Sequence, residues 1–259
     1  MKQPITIVKV GGAVLEDEKQ LNILLEHFSS ISGNKILVHG GGRKATQIAS
    51  LLNIDTQMIN GRRITNKDML DVVTMVYGGL VNKTVVAKLQ ARGVNAIGLT
   101  GADANTILAH KRPIKNGIDY GFAGDVDNVD GNILQQLLIA GLTPVMAPLS
   151  HNGLGSMLNT NADTIAAETS KALADKFNVT LIYCFEKNGV LSDPENDNSI
   201  IPIITQTFFE EEVEKGTISG GMIPKLKNAL EAVDAGVERV IITNATASNW
   251  EKGTVVKKE

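Results

Sequence analysis

Residues 5–12 read Ile-Thr-Ile-Val-Lys-Val-Gly-Gly, a strand pattern that ends in a lysine and two glycines. Four aliphatic residues make an almost continuous run, which is typical of a strand buried on both faces of a parallel sheet. Lys9 interrupts the run, and a buried ammonium group is costly unless an anion meets it. Gly11 and Gly12 let a ligand approach their backbone N–H groups closely. The stretch predicts a phosphate-sized anion site at the edge of an open α/β sheet. In the alternative, Lys9 extends to solvent and the glycines form only a turn.

Composition excludes several classes of protein. The chain has 259 residues, enough for one large domain or two joined lobes, and a formal net charge of -3 that disfavours a general nucleic-acid or anionic-membrane surface. No window of 18 residues is wholly apolar and the first residues lack the apolar core of a signal peptide, so we expect no membrane span. The single cysteine, Cys184, rules out an internal disulfide. These features predict a cytoplasmic globular protein with Cys184 in its core.

A second glycine turn follows the next predicted strand. Residues 35–38 are a short strand that leads through His39-Gly-Gly-Gly into a predicted helix. Strand, glycine turn and helix are the first unit of a parallel sheet. The pattern Gly40-x-Gly42-x-x-Ala45 matches a loose dinucleotide fingerprint, but no acidic residue follows at the expected distance. Three glycines beside a helix N-terminus still predict a second anion-binding turn.

An arginine pair follows a hairpin signal. Asn60-Gly61 is a two-residue turn typical of hairpins, and it lies within the predicted strand pair of residues 57–65. Successive strand residues point to opposite faces, so we expect only one of Arg62 and Arg63 to face inward. An inward arginine can bind a carboxylate through two parallel hydrogen bonds. The alternative is two solvated arginines.

The longest helical pattern runs from Lys67 to Arg92, and its surface is large enough for a dimer interface. Gly78-Gly79 lies inside this helix, where glycine is unfavourable and indicates a bend or a close packing partner. The predicted buried positions are Met69, Val72, Val73, Val76, Leu80, Val85 and Leu89. The other predicted elements are a β-ribbon at 106–128, strands at 94–99, 143–147 and 239–243, a helix at 132–140 and an edge segment at 253–257.

Three polar residues alternate with small ones before another predicted helix. Asn161 suits the N-cap of this helix and Asp163 suits its first turn, so capping explains both. Capping does not explain Asn159. In the functional alternative, the three groups position lysines and a substrate amide.

The last third of the chain repeats the combination of apolar strand, glycine pair and lysine. Residues 180–185 form an apolar strand that opens a predicted second lobe, and Gly220-Gly221 precedes a helix that extends to Ala235. Lys225 lies near the first turn of that helix, where the helix dipole disfavours a cation. A nearby anion would account for this placement.

Known nucleotide and hydrolase motifs are missing from the chain. It has no Gly-Lys dipeptide and therefore no P-loop, and the protein-kinase set, zinc-ligand spacing and the Gly-x-Ser-x-Gly elbow are also missing. Glycine turns with two lysines are still sufficient for phosphoryl transfer, because that reaction depends on positioning and charge neutralisation.

Five motifs together resemble those of the amino-acid kinases, over nearly the whole chain from Ile7 to about Thr254. They are Lys9-Val-Gly-Gly, His39-Gly-Gly-Gly, Asn60-Gly-Arg-Arg-Ile-Thr, Asn159-Thr-Asn-Ala-Asp163 and Gly220-Gly-Met-Ile-Pro-Lys225. The resemblance implies a three-layer α/β/α sandwich with an open, mainly parallel eight-stranded sheet. It also implies a single domain, 1–259, with an acyl-amino-acid-binding lobe at 1–176 and a nucleotide-binding lobe at 177–259.

The resemblance is to members that use ATP with Mg²⁺ to phosphorylate the γ-carboxylate of an N-acyl-glutamate in arginine biosynthesis. It implies that Lys9 and Lys225 contact the transferring phosphoryl group from opposite sides and that Asp163 holds both lysines. The implied substrate-binding residues are Gly41, Gly42, Arg63 for the α-carboxylate, and Asn159. The implied phosphate- or ATP-binding residues are Gly11, Gly12, Gly40, Glu186, Gly189, Gly220 and Gly221.

The same resemblance implies no general base and no dedicated metal site. The nucleophile is a carboxylate that is already ionised at pH 7, so His39 is interpreted as structural. Magnesium would bridge phosphate oxygens of ATP and need few protein ligands.

Two features depart from the family pattern. Phe185-Glu186 stands where the family has Ser/Thr-Asp, which leaves the nucleotide contacts open although Glu186 keeps the acidic group. The ribbon at 106–126 is only loosely similar and would lie near the acyl group, so acetyl and succinyl both stay open. Because only Met1 to Pro4 precede the first strand, we expect a homodimer without the arginine inhibition of members that have an N-terminal helix.

Three alternatives stay open. A kinase of the same fold could act on aspartate, free glutamate, carbamate or a nucleoside monophosphate, although the Asn60 and Asn159 motifs disfavour this. A non-catalytic sensor of nucleotide or amino acid is disfavoured because binding alone rarely requires both Lys9 and Lys225. A dinucleotide oxidoreductase would have to bind NAD.

Overall fold

The computed structural model describes residues 2–59, 61–193, 195–247 and 250–259. The strands are β1 Gln3–Val10, β2 Asn34–His39, β3 Met58–Ile59, β4 Arg62–Arg63, β5 Ala96–Leu99, β6 Ile107–Lys111, β7 Gly124–Val129, β8 Thr143–Met146, β9 Leu149–His151, β10 Met157–Asn159, β11 Phe177–Phe185, β12 Ile203–Ile204, β13 Arg239–Asn244 and β14 Thr254–Val256. The helices are α1 Gly12–Glu16, α2 Glu18–Ser30, α3 Gly42–Leu51, α4 Lys67–Val73, α5 Asn82–Gln90, α6 Gly131–Ile139, α7 Ala162–Leu173, α8 Gln206–Glu214 and α9 Met222–Asp234.

Within those ranges, the central sheet has eight strands in the order β12-β14-β13-β11-β1-β2-β8-β5. Every neighbouring pair is parallel except β13 and β14, which are antiparallel. The predicted open, mainly parallel eight-stranded sheet is therefore confirmed. The segment predicted as an edge, 253–257, is not at the edge: β14 lies between β13 and the outer strand β12.

Strand β1 is buried because its alternate residues face two separate cores. Ile5 and Ile7 pack in one core with residues of α7 and α9, and Val8 and Val10 pack in the other with residues of α2 and α5. Helices thus cover both faces of the sheet, as the three-layer prediction requires. Lys9 lies on the same side of β1 as Ile5 and Ile7, because side chains alternate along a strand.

The hairpin and the ribbon form as predicted. β3 pairs antiparallel with β4, and the first turn residue, Asn60, lies outside the described residues. β6 pairs antiparallel with β7 and joins β9 and β10 in a second sheet. An isolated bridge between Ala123 and Asn159 connects the ribbon to the segment that leads into α7.

The long helix contains a π-helical segment, Thr74–Val81, between α4 and α5. Gly78 and Gly79 lie in it, and a Cβ on Gly78 would be 3.4 Å from the side chains of Leu149 and Thr100. The prediction of a close packing partner is therefore confirmed at Gly78, whereas a Cβ on Gly79 would meet nothing within 4 Å. The prediction that Leu80 is buried is wrong, because the wider turn of the π-helix changes the face that follows it and leaves Leu80 48% exposed.

The same helical segment, Lys67–Gln90, is the one part of the described chain with the length and mean composition of a membrane span. The sequence analysis required 18 consecutive apolar residues. Polar residues interrupt this segment, so it did not meet that criterion. Its side chains that are buried in the protein core include Met69, Val72, Val73, Val85 and Leu89. Packing in the core accounts for the apolar character of the segment.

Candidate active site

The carboxylate of Asp163 bridges two lysines at the carboxyl edge of the sheet. Lys9 Nζ lies 2.7 Å from Asp163 Oδ1, and Lys225 Nζ lies 3.2 Å from Asp163 Oδ2. The lysine side chains are only 11% and 16% exposed. The alternative in which Lys9 extends to solvent is therefore wrong. Two ammonium groups share one carboxylate, so the cluster retains a positive charge that suits an anionic ligand.

Three elements distant in sequence bring these side chains together. Lys9 lies near the end of β1, Asp163 in the first turn of α7, and Lys225 in the first turn of α9. The Asn161 side chain accepts hydrogen bonds from the N–H groups of Asp163 and Thr164, at 2.7 and 3.2 Å. Asn161 is therefore the N-cap of α7, as predicted, and it fixes the start of the helix that carries Asp163.

The charges determine the ionisation of the cluster. Burial by itself would raise the pKa of Asp163, but the charges and hydrogen bonds of Lys9 and Lys225 outweigh it and hold that pKa well below 3.8. Burial lowers the pKa of Lys225 from 10.5; Asp163 opposes this shift and Lys9 adds to it. Asp163 is thus a carboxylate at neutral pH. It positions the ammonium groups of Lys9 and Lys225 and does not accept a proton.

The two glycine turns meet because β1 and β2 are adjacent parallel strands, with Val10 paired to His39. A Cβ on Gly40 would lie 3.3 Å from Gly12 N. A Cβ on Gly12 would lie 3.8 Å from both Gly41 N and Gly42 N. The two turns are thus in close contact, and the contact is tightest at Gly40. The first N–H groups of α3 border this space without an acceptor in their own helix.

The glycines contribute to this cradle in different ways. Gly11 N donates to Cys184 O at 3.2 Å, and Gly40 N donates to Val10 O at 3.1 Å. Because these two residues have no side chain, a ligand can approach their backbone closely. Their own N–H groups are already hydrogen-bonded to strand carbonyls. Gly41 has φ +147°, and a Cβ there would lie 2.9 Å from the Tyr77 ring. Their roles in phosphate binding stay predictions.

Arg63 borders a cavity of about 180 Å³ next to the glycine turns. Its Nη2 donates to Gly42 O and to Thr46 Oγ1, both at 2.8 Å, and the residue is only 7% exposed. Arg63 is therefore the inward residue of the pair. Arg62 also lines the cavity but stays partly exposed, so Arg63 is the one arginine of the pair that is buried, as expected. The remaining lining residues are Gly40, Gly41, Gly42, Met58, Gly61, Tyr77, Ala123, Gly124, Pro148, Asn159, Thr160, Asn161 and Ala162.

Asn159 also lines this cavity. Its Nδ2 donates to Thr65 Oγ1 at 2.9 Å, and its N–H donates to Phe122 O at 2.9 Å. Asn159 is thus fixed by the segment after the arginine hairpin and by the ribbon. Asn159 and Arg63 therefore line one cavity together.

A second cavity, of about 440 Å³, shares Gly42, Met58 and Arg63 with the first and extends toward β11. Glu186 lines it and makes an exposed ion pair with Arg43, whose Nη2 lies 3.4 Å from Glu186 Oε1. The two adjoining cavities are called the cleft below: they meet at Gly42 and Arg63, and the second is lined by Phe185 and Glu186 at the end of β11.

A smaller cavity, of about 140 Å³, lies beyond β11. Its lining residues are Lys187, Gly189, Val190, Leu191, Thr217, Ile218, Ser219 and Met222. Gly189 packs tightly, since a Cβ would lie 2.8 Å from Thr254 Oγ1. Gly220 has φ +57° and Gly221 is the N-cap of α9, so both form the turn beside this cavity.

The part of the chain described here holds no group of three or more His, Cys, Asp or Glu side chains that could bind a metal ion. Asp163 is engaged with two lysines, so Glu186 is the carboxylate of the cleft that remains accessible. Such a donor set fits a magnesium ion that is held mainly by phosphate oxygens.

The family model for the amino acid kinase family matches residues 4–244. The chain belongs to the amino acid kinase family. Acetylglutamate kinase of Phocaeicola vulgatus is 61% identical over 258 residues, which covers 100% of both chains. Acetylglutamate kinase of Bacteroides fragilis is 59% identical, over 100% of this chain and 98% of its own. Among solved structures, smu.665 from Streptococcus mutans UA159 superposes with a TM-score of 0.81 at 28% identity and 98% coverage of each chain.

Two residues with chemically reactive side chains are structural in this amino acid kinase. His39 Nδ1 donates to Gly40 O at 2.7 Å, and Asn82 Nδ2 donates to His39 Nε2 at 3.0 Å. Burial lowers the pKa of His39 to about 4, so the ring is neutral at pH 7. Cys184 is 1% exposed and burial raises its pKa, which confirms it as a core residue.

The sequence did not indicate several residues of the site. Tyr77 packs against Gly41 and lines the Arg63 cavity, and burial raises the pKa of its hydroxyl. Thr46 and Thr65 accept the hydrogen bonds that orient Arg63 and Asn159. Each of these residues lies in an ordinary helical or strand pattern, so only the spacing from a glycine turn or arginine pair could have indicated them.

Proposed function

We propose that this enzyme transfers the γ-phosphoryl group of ATP to the γ-carboxylate of N-acetyl-L-glutamate, a reaction of arginine biosynthesis. The observation that carries the proposal is the bridge of Lys9 and Lys225 by Asp163 at the carboxyl edge of the sheet, next to Ala162, which lines the arginine cavity. The two relatives named above, at 61% and 59% identity over the full chain, are acetylglutamate kinases, and this supports the same substrate.

The site residues divide the work of substrate binding. Arg63, held by Gly42 O and Thr46 Oγ1, binds the α-carboxylate of the substrate. Asn159 binds the substrate in the same cavity as Arg63, and Gly41 and Gly42 border the γ-carboxylate of the substrate. A glutamate held in this way directs its γ-carboxylate toward the glycine turns. Positioning of this kind supplies a large part of the rate enhancement, because it removes the entropy cost of the encounter.

The reaction itself requires charge stabilisation. An oxygen of the γ-carboxylate forms a bond to the γ-phosphorus, the bond between that phosphorus and the β,γ-bridging oxygen breaks, and ADP leaves with the electron pair. Lys9 and Lys225 stabilise the negative charge of the transferring group from two sides, and Asp163 fixes their separation. The backbone N–H groups around Gly12 bind the oxygens of the transferring phosphoryl group. No proton is transferred, since the nucleophile is ionised.

ATP occupies the side of the cleft formed by β11 and α9. This assignment makes 1–176 the acyl-amino-acid-binding lobe and 177–259 the nucleotide-binding lobe, with α7 ending and β11 beginning at the boundary. Gly189, Gly220 and Gly221 border the nucleotide, and Gly11 and Gly40 allow its phosphates to approach closely. Magnesium would be held mainly by phosphate oxygens of ATP, with Glu186 as the available carboxylate, and would supply additional charge neutralisation.

We further propose a cytoplasmic homodimer. Met75 and Leu80 on the long helix are 56% and 48% exposed, and apolar side chains on the surface of a helix suit a second copy of the chain. Sedimentation equilibrium tests the dimer directly, and a monomer at micromolar concentration would refute it.

Trapping of the acyl phosphate with hydroxylamine tests the proposed function. The assay contains Mg-ATP and either N-acetylglutamate, N-succinylglutamate or free glutamate, and a coloured hydroxamate reports the product. Product with N-acetylglutamate supports the proposal, and a preference for N-succinylglutamate would change the acyl group only. Product with free glutamate alone would indicate a different kinase of the family, and no product with ATP bound would indicate a sensor.

A further inference from the structure

The Lys225 ammonium lies against two aromatic rings of β11. Its Nζ is 5.2 Å from the centroid of the Tyr183 ring and 5.8 Å from that of Phe185. A cation within about 6 Å of the face of an aromatic ring is attracted by the ring quadrupole, more strongly where water is excluded. Tyr183 is 1% exposed, so this contact is shielded from solvent.

Tyr183 also contacts the other partner of Lys225. Its hydroxyl donates to the backbone carbonyl of Asp163 at 3.2 Å. The ring of Tyr183 thus contacts the lysine, and its hydroxyl fixes the first turn of α7, which carries the carboxylate. Tyr183 and Phe185 are two residues apart on a strand, so both side chains point to the same face of the sheet.

The ion pair alone holds Lys225 loosely. The Lys225 Nζ to Asp163 distance is 3.2 Å, compared with 2.7 Å for Lys9, and the same carboxylate serves both lysines. One carboxylate cannot fully compensate two buried ammonium groups. The two rings supply additional negative potential to the Lys225 ammonium.

We propose that Tyr183 and Phe185 are positioning residues that hold the Lys225 ammonium against Asp163 for phosphoryl transfer. The proposal rests on the proposed function for the role of Lys225, and on the structure for the contacts themselves. Phe185 occupies the position at which the family pattern has a serine or threonine.

Kinetics of single variants test the role. Phe185→Leu and Tyr183→Leu should each lower kcat about tenfold, the range of a buried cation–π contact, with the KM for N-acetylglutamate unchanged. Tyr183→Phe keeps the ring and should retain more activity than Tyr183→Leu. Phe177→Leu, a buried ring at the other end of β11, is the matched control and should keep kcat. Unchanged kcat in Phe185→Leu would overturn the proposal.

A double-variant cycle separates positioning from a general loss of stability. In a Lys225→Met background, Phe185→Leu should cause no further decrease in kcat, because the residue acts through the lysine. A fully additive decrease would overturn the proposal. Phe185 is partly exposed, so this variant keeps the test valid even if Tyr183→Leu fails to fold.

Lysine NMR tests the contact without reference to activity. Ring currents should shift the Hε resonances of Lys225 upfield, and their loss in Lys225→Met assigns them. These resonances should move downfield in Phe185→Leu and Tyr183→Leu and stay in place in Phe177→Leu. Resonances that do not move would refute the aromatic contact. If they move but the unaltered protein forms no acyl phosphate, the contact stands and the proposed function fails.

Discussion

Lys9 and Lys225 contact opposite oxygens of one carboxylate, that of Asp163, although the two lysines belong to opposite ends of the chain. The carboxylate therefore sets the distance between the two ammonium groups. A phosphoryl group that passes between donor and acceptor needs positive charge on both sides. The bridge provides this charge before either substrate binds.

Removal of either lysine should abolish most of the activity. Lys9→Ala and Lys225→Ala should each lower kcat about 100-fold or more, because each removes a charge that is stabilising in the transition state. The hydroxamate assay measures kcat, and circular dichroism checks the fold. Lys257→Ala, at an exposed position, is the control and should retain activity. Near-normal kcat in either lysine variant would refute the role of that lysine.

Asp163→Asn should lower both kcat and stability. The variant leaves two neighbouring ammonium groups without a counterion, which we expect to cost about 3 kcal/mol in the free energy of unfolding. The pKa of Asp163 is lowered in the folded state. The contribution of its carboxylate to the free energy of unfolding is therefore present above pH 3.8 and is lost as the pH falls below that value. Urea unfolding measures the loss. Asp175→Asn, an exposed ion-pair residue, should change stability little, and an equal loss in both variants would contradict the special role of Asp163.

Arg63→Lys should weaken substrate binding more than it affects chemistry. A lysine keeps the charge, but its single nitrogen cannot both replace the Nη2 bonds to Gly42 O and Thr46 Oγ1 and present the remaining guanidinium donors to a carboxylate. We expect the KM for N-acetylglutamate to rise about tenfold or more, with the KM for ATP unchanged. Arg62→Lys is the matched comparison at the adjacent position. A larger effect at Arg62 than at Arg63 would reverse the assignment of the α-carboxylate site.

Gly41→Ala should impair both folding and catalysis. The backbone at Gly41 has φ +147°, which other L-residues rarely adopt, and the added methyl group would lie 2.9 Å from the Tyr77 ring. We expect a decrease of about 2 kcal/mol in the free energy of unfolding and a lower kcat. Gly79→Ala, where a Cβ meets nothing within 4 Å, should be neutral or stabilising. Full activity in Gly41→Ala would show that the turn is not close-packed in solution.

Stability should fall between pH 7 and pH 5 because of His39. Protonation of Nε2 would place an N–H against the Asn82 amide, whose Nδ2 also donates to Val145 O. The unfolded chain binds a proton near pH 6.5, but the folded chain does so only near 4, so acid favours unfolding. The expected loss by pH 5 is about 2 kcal/mol, measured by urea unfolding at the two pH values. His39→Gln should reduce this pH dependence, and an unchanged slope would assign it to other groups.

Much of the fold follows from local patterns. The apolar run of β1 predicted a strand buried on both faces, and alternation along the hairpin predicted that one of Arg62 and Arg63 would face inward. Asn161 predicted the cap of α7. Each of these depends on residues that are neighbours in the chain, for which alternation along a strand or hydrogen bonding at a helix start is sufficient.

Other features depended on pairing and packing between distant segments. β14 is internal because β12 pairs with its outer side, and helix α8, which the sequence did not indicate, lies between those strands in the chain. Leu80 is exposed because the preceding segment is π-helical. No periodicity in the sequence distinguishes these outcomes from the simpler ones.

The sequence by itself determined the parallel sheet, the glycine turns after β1 and β2, and the presence of two lysines where a structural role is costly. The tertiary structure decided which groups meet. Asp163 lies between the two lysines, Arg62 and Arg63 line the same cavity, and the rings of Tyr183 and Phe185 lie against Lys225. Strand and turn patterns arise from interactions between near neighbours in the chain. Contacts among β1, α7, β11 and α9 arise only when the sheet orders those elements side by side.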